Sequence, residues 1–176
     1  MIRLFKYIVF IVLFLESLVV FIPKTNLYYY ILNKLQVRHI NTTQGSLKDE
    51  FFSFSIFDLK IFYDNLNIIN IKSINTKTYI LLSKVELSDL KIDSSLKKFL
   101  PSKIRYIIIS HNIADPLKVK IKADLFQATA HGVYDIKTNK VTMIIKGSKQ
   151  FVKLYGKLLS QAKKLKTGEY QIEYKL

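Results

Sequence analysis

His39, His111 and His131, together with a scatter of carboxylates, are the side chains of this sequence best suited to chemistry, and their spacing builds no site. Zinc ligands come in close pairs, and each of these histidines lacks a neighbouring ligand at such a spacing. The chain contains no Cys, which removes thiolate nucleophiles, thiolate metal sites and disulfides. That absence leaves the compartment open, because reducing and oxidising spaces both tolerate it. No G-x-S-x-G elbow and no phosphate-cradling Gly-rich loop is present. Asp58, Asp64, Asp89 and Asp93 fall in turns or on the wet parity of strands, where solvated carboxylates are expected. Catalysis needs mutually placed groups, so the expectation is a non-enzymatic protein with no cofactor and no metal site.

Glu16 is a different case, because it falls inside an apolar run. A carboxylate in hydrocarbon must protonate or find a partner, which makes it a functional candidate. A blander account places it near Ser17 and the outer leaflet, within reach of water. The run itself, Tyr7 to Ile22, reads Y-I-V-F-I-V-L-F-L-E-S-L-V-V-F-I and is apolar on every face of a helix. As a helix it is roughly 24 Å long against a hydrocarbon core of roughly 30 Å, so Leu4 and Phe5 must extend it while Arg3 and Lys6 snorkel to the headgroups. A cleaved signal peptide is the rival, but F-I-P-K-T-N after the run offers no small-x-small cleavage site. Arg3 and Lys6 before the run nearly balance Lys24, Lys34 and Arg38 after it. Long downstream domains translocate regardless of charge, which places the bulk of the chain outside the cytoplasm. Residues 1–23 are expected to be a transmembrane anchor and 24–176 one extracytoplasmic β-rich domain.

After Pro23 a short helix is expected over 24–35, with Leu27, Tyr30, Ile31 and Leu35 on one face. Tyr28, Tyr29 and Tyr30 suit the headgroup level and Lys34 can meet phosphates, so these four join Arg3, Lys6 and Glu16 as membrane-interface candidates, with packing of the same helix on the following sheet an equal and compatible alternative. From Gln36 the period becomes alternating. The apolar parity is even at Phe52, Phe54 and Ile56 but odd at Phe57, Leu59 and Ile61, which calls for a bulge at Ile56–Phe57. Asp64-Asn65 and Lys137-Thr138-Asn139-Lys140 mark turns of a meander, and Leu117, Val119, Ile121 and Ala123 alternate with lysines as a half-buried strand. A short helical turn is expected between Ser94 and Leu100. Phe151, Leu154, Tyr155, Leu158, Leu159, Ala162 and Leu165 recur at helical spacing, predicting an amphipathic helix over 149–165, and Tyr170, Ile172 and Tyr174 a terminal strand. The expected fold class is α+β, mainly β: a single N-terminal transmembrane helix followed by a curved antiparallel sheet covered by a C-terminal amphipathic helix.

The net charge is +15. Such a balance raises nucleic acid or an anionic surface as partners. Abundant Lys, Ile, Asn, Phe and Tyr with no Trp is also the composition that an A+T-rich genome produces, and no nucleic-acid module accompanies the charge, so nucleic acid is not an expected partner.

The order of "IP" with a short helix carrying Leu27, the segment "TTQGSLKDE", then "ATAHGVYDI" and the closing "TGEYQIEYKL" resembles the general secretion pathway protein N family. That family is similar to the AsmA-like proteins of Gram-negative envelopes. The resemblance implies a single-pass inner-membrane protein with a periplasmic β-rich domain, an accessory to secretion or envelope assembly. Its partners would be the inner membrane, other envelope or secretion proteins, or lipid, and no catalytic residues carry over. The alternative is an AsmA-like or lipopolysaccharide-transport-like lipid carrier whose apolar sheet face stays open to acyl chains.

Overall fold

The computed structural model describes residues 23–79, 82–93, 96 and 101–175. A helix, α1 (Lys24–Gln36), leads into strands β1 (Ile40–Thr43), β2 (Ser46–Asp49), β3 (Ser53–Tyr63), β4 (Leu66–Thr78) and β5 (Leu82–Ile92). Next come β6 (Lys103–Asn112), β7 (Lys118–Asp124), β8 (Ala128–Asp135) and β9 (Lys140–Gly147), two short helices α2 (Lys149–Leu154) and α3 (Gly156–Leu159), and finally β10 (Lys163–Lys164) and β11 (Tyr170–Lys175). The strands make one 11-stranded sheet in the order β1-β3-β4-β5-β6-β7-β8-β9-β11-β10, with β2 also paired to β3. Every pairing is antiparallel, as short hairpin connections require. Asp64 and Asn65 both take positive φ (45° and 66°) between the paired Tyr63 and Leu66, the conformation that makes a two-residue hairpin follow the strand twist.

One apolar row runs across the sheet through Ile56, Ile74, Leu87, Ile107, Ala123, Ala130, Ile145 and Tyr170, each paired with the next. Helices cover this face in two places. Tyr28 and Leu32 of α1 pack with Phe54, Ile56 and Leu59, while Phe151 and Leu159 pack with Ala123, Ala128, Ala130 and Ile145. Phe151 is fully buried (0% exposed), with the small side chains Ala123, Ala128 and Ala130 leaving room for its ring beside Ile145. A Cβ on Gly147 would lie 2.7 Å from the Phe151 ring, so glycine is needed for that approach.

The inward parity steps by three residues instead of two on four neighbouring strands: Ile56 to Leu59, Ile71 to Ile74, Leu87 to Leu90 and Ile104 to Ile107. The steps lie opposite one another, so the register is kept and one face stays apolar throughout. At this line Asp58 and Asp89 take positive φ (53° and 49°), and Gly45, between β1 and β2, packs against Asp58 with room for a Cβ only 3.3 Å away. The bulge expected at Ile56–Phe57 is not there: the register with β4 is unbroken at that point and slips instead between Ile61 and Phe62, and the parity changes at a fold line around Asp58 that four strands share. Asp tolerates the left-handed region and β-branched residues do not. Asp58→Val should therefore lose about 1–2 kcal/mol in denaturant unfolding while Asp58→Gly stays within about 1 kcal/mol of the parent. Equal losses would show that the positive φ is not what the position demands.

The expected architecture, a single N-terminal transmembrane helix followed by a curved antiparallel sheet covered by a C-terminal amphipathic helix, is corrected. No helix covers 149–165: α2 ends at Leu154, Tyr155 (φ −111°, ψ 27°) breaks the run, and α3 ends at Leu159. Gly156 weakens the helix at the break, and Lys163–Lys164 is already strand, turned onto β11 through Gly168 at φ +82°. Leu154, assigned to the covering face, is exposed. No helix among the described residues is long and apolar enough to cross a membrane. Tyr7 to Ile22 lies outside the described residues, as does most of the helical turn expected between Ser94 and Leu100.

Candidate membrane-facing rim

The register places one end of the sheet along Ser53, Lys77, Ser83, His111, Lys118, Asp135, Lys140 and Lys175. Four hairpins reverse here: β2–β3, β4–β5, β6–β7 and β8–β9. Such loops are normally polar. Each of these instead exposes large apolar side chains. Phe51 (72% exposed) and Phe52 sit on the first and Tyr79 and Leu82 on the second, with the Phe52 and Tyr79 rings stacked at 5.5 Å. Ile113 and Leu117 occupy the third and Ile136 the fourth, and the Ile136 N–H donates to the Leu117 carbonyl at 2.8 Å, joining two tips. Tyr174 of β11 adds another exposed ring. At the opposite end, the exposed large apolar residues on described hairpins are Tyr63, Leu66 and Phe126.

Cations flank the apolar tips: Lys77, Lys118, Lys137 and Lys140. Three carboxylates at this end, Glu50, Asp135 and Glu173, are held ionised by neighbours. Backbone N–H donation from Thr138 lowers the Asp135 pKa, the hydrogen bond from Lys140 lowers that of Glu173, and the one from Lys48 lowers that of Glu50.

The N-terminus of α1 is tied to the same end. Lys24 Nζ donates to the Glu50 carbonyl at 2.9 Å and Thr25 Oγ1 to Asp49 Oδ2 at 2.9 Å. The described chain therefore begins, at Pro23, at this rim, and in the sequence Pro23 directly follows the apolar run Tyr7 to Ile22. From there α1 runs down the sheet to its far end, where His39 Nδ1 lies 3.6 Å from Asp64 Oδ1. Leu27, Tyr30 and Ile31 form an exposed stripe beside Tyr29, and Lys34 Nζ sits 5.6 Å from the Tyr30 ring centroid. Tyr28, selected with them from the sequence, is in the core at 8% exposure with its ring 5.8 Å from Phe54. Burial raises its pKa, and the nearby Thr42 hydroxyl only partly offsets this. That contact falls short of hydrogen-bond geometry and leaves the phenol oxygen without a partner. Of the interface candidates, then, Tyr29, Tyr30 and Lys34 share one exposed face of α1, Tyr28 faces inward, and Arg3, Lys6 and Glu16 lie outside the described residues.

Sequence reasoning missed the hairpin tips. The available signal was an apolar residue inside each turn segment, at Phe51, Tyr79, Ile113 and Ile136, where patterning calls for polar ones. His39, His111 and His131 remain apart: His111 Nε2 pairs with the Pro116 carbonyl at 3.0 Å. Among the described residues no group of three His, Cys, Asp or Glu is placed to hold a metal ion. Comparison with known proteins finds no matching family model, no similar curated protein and no similar solved structure.

Proposed function

We propose that this chain is a non-enzymatic accessory protein of secretion or envelope assembly, held at the inner membrane with its bulk on the periplasmic side and its apolar rim seated on the bilayer. One observation carries the reading: all four hairpins of one sheet end expose large apolar side chains, and that is the end at which the described chain begins, directly after the apolar run Tyr7 to Ile22 of the sequence. A contiguous apolar surface rimmed by cations is the signature of a membrane or protein contact. Anionic headgroups attract the lysines while the bilayer boundary takes the apolar tips. The resemblance to secretion-pathway protein N supports the accessory role, in which the rim orients the sheet toward other envelope proteins.

The absence of Trp makes a clean test possible, because one introduced Trp is the only indole in the chain. Leu117→Trp places it at the rim and Leu66→Trp at the opposite end. With the full chain in nanodiscs of brominated lipid, the residue-117 indole should be strongly quenched and the residue-66 indole should fluoresce as in unbrominated lipid. Equal quenching at both positions would remove the rim from the membrane.

A further inference from the structure

We propose that the outer face of the sheet carries a binding site for a small, soluble, multiply phosphorylated anion, centred on Lys91 and Lys103. These two lysines are direct cross-strand partners of β5 and β6. Like charges placed directly opposite repel across a strand pair. The sheet has two other such pairs, Lys77 with Lys84 and Lys140 with Lys175, and each is relieved by a carboxylate, Glu86 on Lys84 and Glu173 on Lys140. Neither Lys91 nor Lys103 has an ion pair among the described residues. Their repulsion is left for a ligand to relieve.

The surroundings match an anion of more than one phosphate. Both lysines line a concavity of about 720 Å³, within the range of small-ligand sites. Lys60, Lys72 and Arg105 share it, so five cations face two carboxylates, Asp58 and Asp89. Lys72 lies 3.8 Å from Asp89, and Arg105 is held by Asp124 at 2.8 Å, which leaves Lys60, Lys91 and Lys103 free to contact a ligand. From β3 to β6 these span three strand spacings, about 14 Å, more than one phosphate covers. The fold line shapes the hollow, since positive φ at Asp58 and Asp89 puts two consecutive residues of a strand on the outer face there.

The ligand must come from solution rather than from the adjoining bilayer. Asp58 stands five residues along β3 from Ser53 at the rim, about 17 Å, beyond the headgroup layer on which that rim would sit. That step rests on the proposed seating of the rim, whereas the lysine pair and the hollow do not.

Inorganic tripolyphosphate is the probe, titrated calorimetrically into the full chain in neutral detergent micelles at about 0.15 M ionic strength, where weak surface attraction is screened. The parent should bind it saturably, and the double variant Lys91→Gln/Lys103→Gln should bind at least about tenfold more weakly. The double variant Lys122→Gln/Lys146→Gln, with the same change in charge outside the hollow, should bind as the parent does. Without ligand, Lys91→Gln/Lys103→Gln should melt no lower than the parent, because it removes a repulsion. Absence of saturation, or equal weakening by both double variants, overturns the site. A headgroup origin appears as quenching of the residue-117 indole in phosphatidylglycerol nanodiscs that is lost in Lys91→Gln/Lys103→Gln, and this too overturns it. Failure of the rim alone leaves tripolyphosphate binding intact.

Discussion

Phe151→Ala should lower the stability of the protein by about 3–5 kcal/mol, the range for removing a fully buried aromatic side chain from a core that cannot collapse around the loss. Among the described residues Phe151 is the one large side chain with no exposure, and the alanines it rests on, Ala123, Ala128 and Ala130, are too small to refill the space. Such a loss is a large part of the roughly 5–15 kcal/mol that holds a domain together, and thermal unfolding should fall by roughly 10 °C or more. Ala130 is 2% exposed in the same cluster, so Ala130→Leu alone should overpack the site, at about 1–3 kcal/mol, against the Phe151 ring. Combined with Phe151→Ala it should cost less than the sum, since the added volume enters the vacated space. Additive losses in the double variant would show that Phe151 is not seated on β8 in solution.

The second large effect concerns the rim. Phe51→Asp/Ile113→Asp/Ile136→Asp should leave the fold intact, because all three positions are exposed and away from the core clusters. Placed in the Leu117→Trp background, the triple variant should lose most of the brominated-lipid quenching and approach the level of the Leu66→Trp reporter. Each apolar tip contributes of the order of 1–2 kcal/mol when it enters the bilayer boundary. Three together shift a seated-to-unseated equilibrium by about 100-fold or more. Quenching that survives the three aspartates, with an unchanged thermal melt, would mean that the apolar tips do not hold the sheet against lipid.

Much of the sheet was legible in the sequence because it is built from local signals. Alternation such as that of Leu117, Val119, Ile121 and Ala123 reports which side chains share a face, and Asp64-Asn65 and Lys137 to Lys140 report where the chain reverses. From β3 to β9 the reversals are short and successive strands are neighbours, so that part of the sheet is an antiparallel meander. The bounds of α1 follow from Pro23 and the change of period, so 24–35 and the observed Lys24–Gln36 nearly coincide. Helical spacing alone does not decide the C-terminal segment. Apolar residues spaced for one long helix over 149–165 were divided between α2, α3 and β10, because pairing Lys163 and Lys164 with β11 competes with extending a helix already weakened at Gly156.

What the sequence by itself determined about this protein is therefore local: strand parity, turn positions, the start of α1, an apolar stretch before it, and the lack of any motif with a reactive constellation. The tertiary structure alone decided what depends on register between segments far apart in the chain. It turned Tyr28 inward onto Phe54, lined up four parity steps into one fold line, gathered Phe51, Tyr79, Ile113 and Ile136 at one rim, and set Lys91 against Lys103. Periodicity along a strand cannot report these, since a shift of one residue between strands changes every cross-strand neighbour while leaving each strand's own pattern untouched.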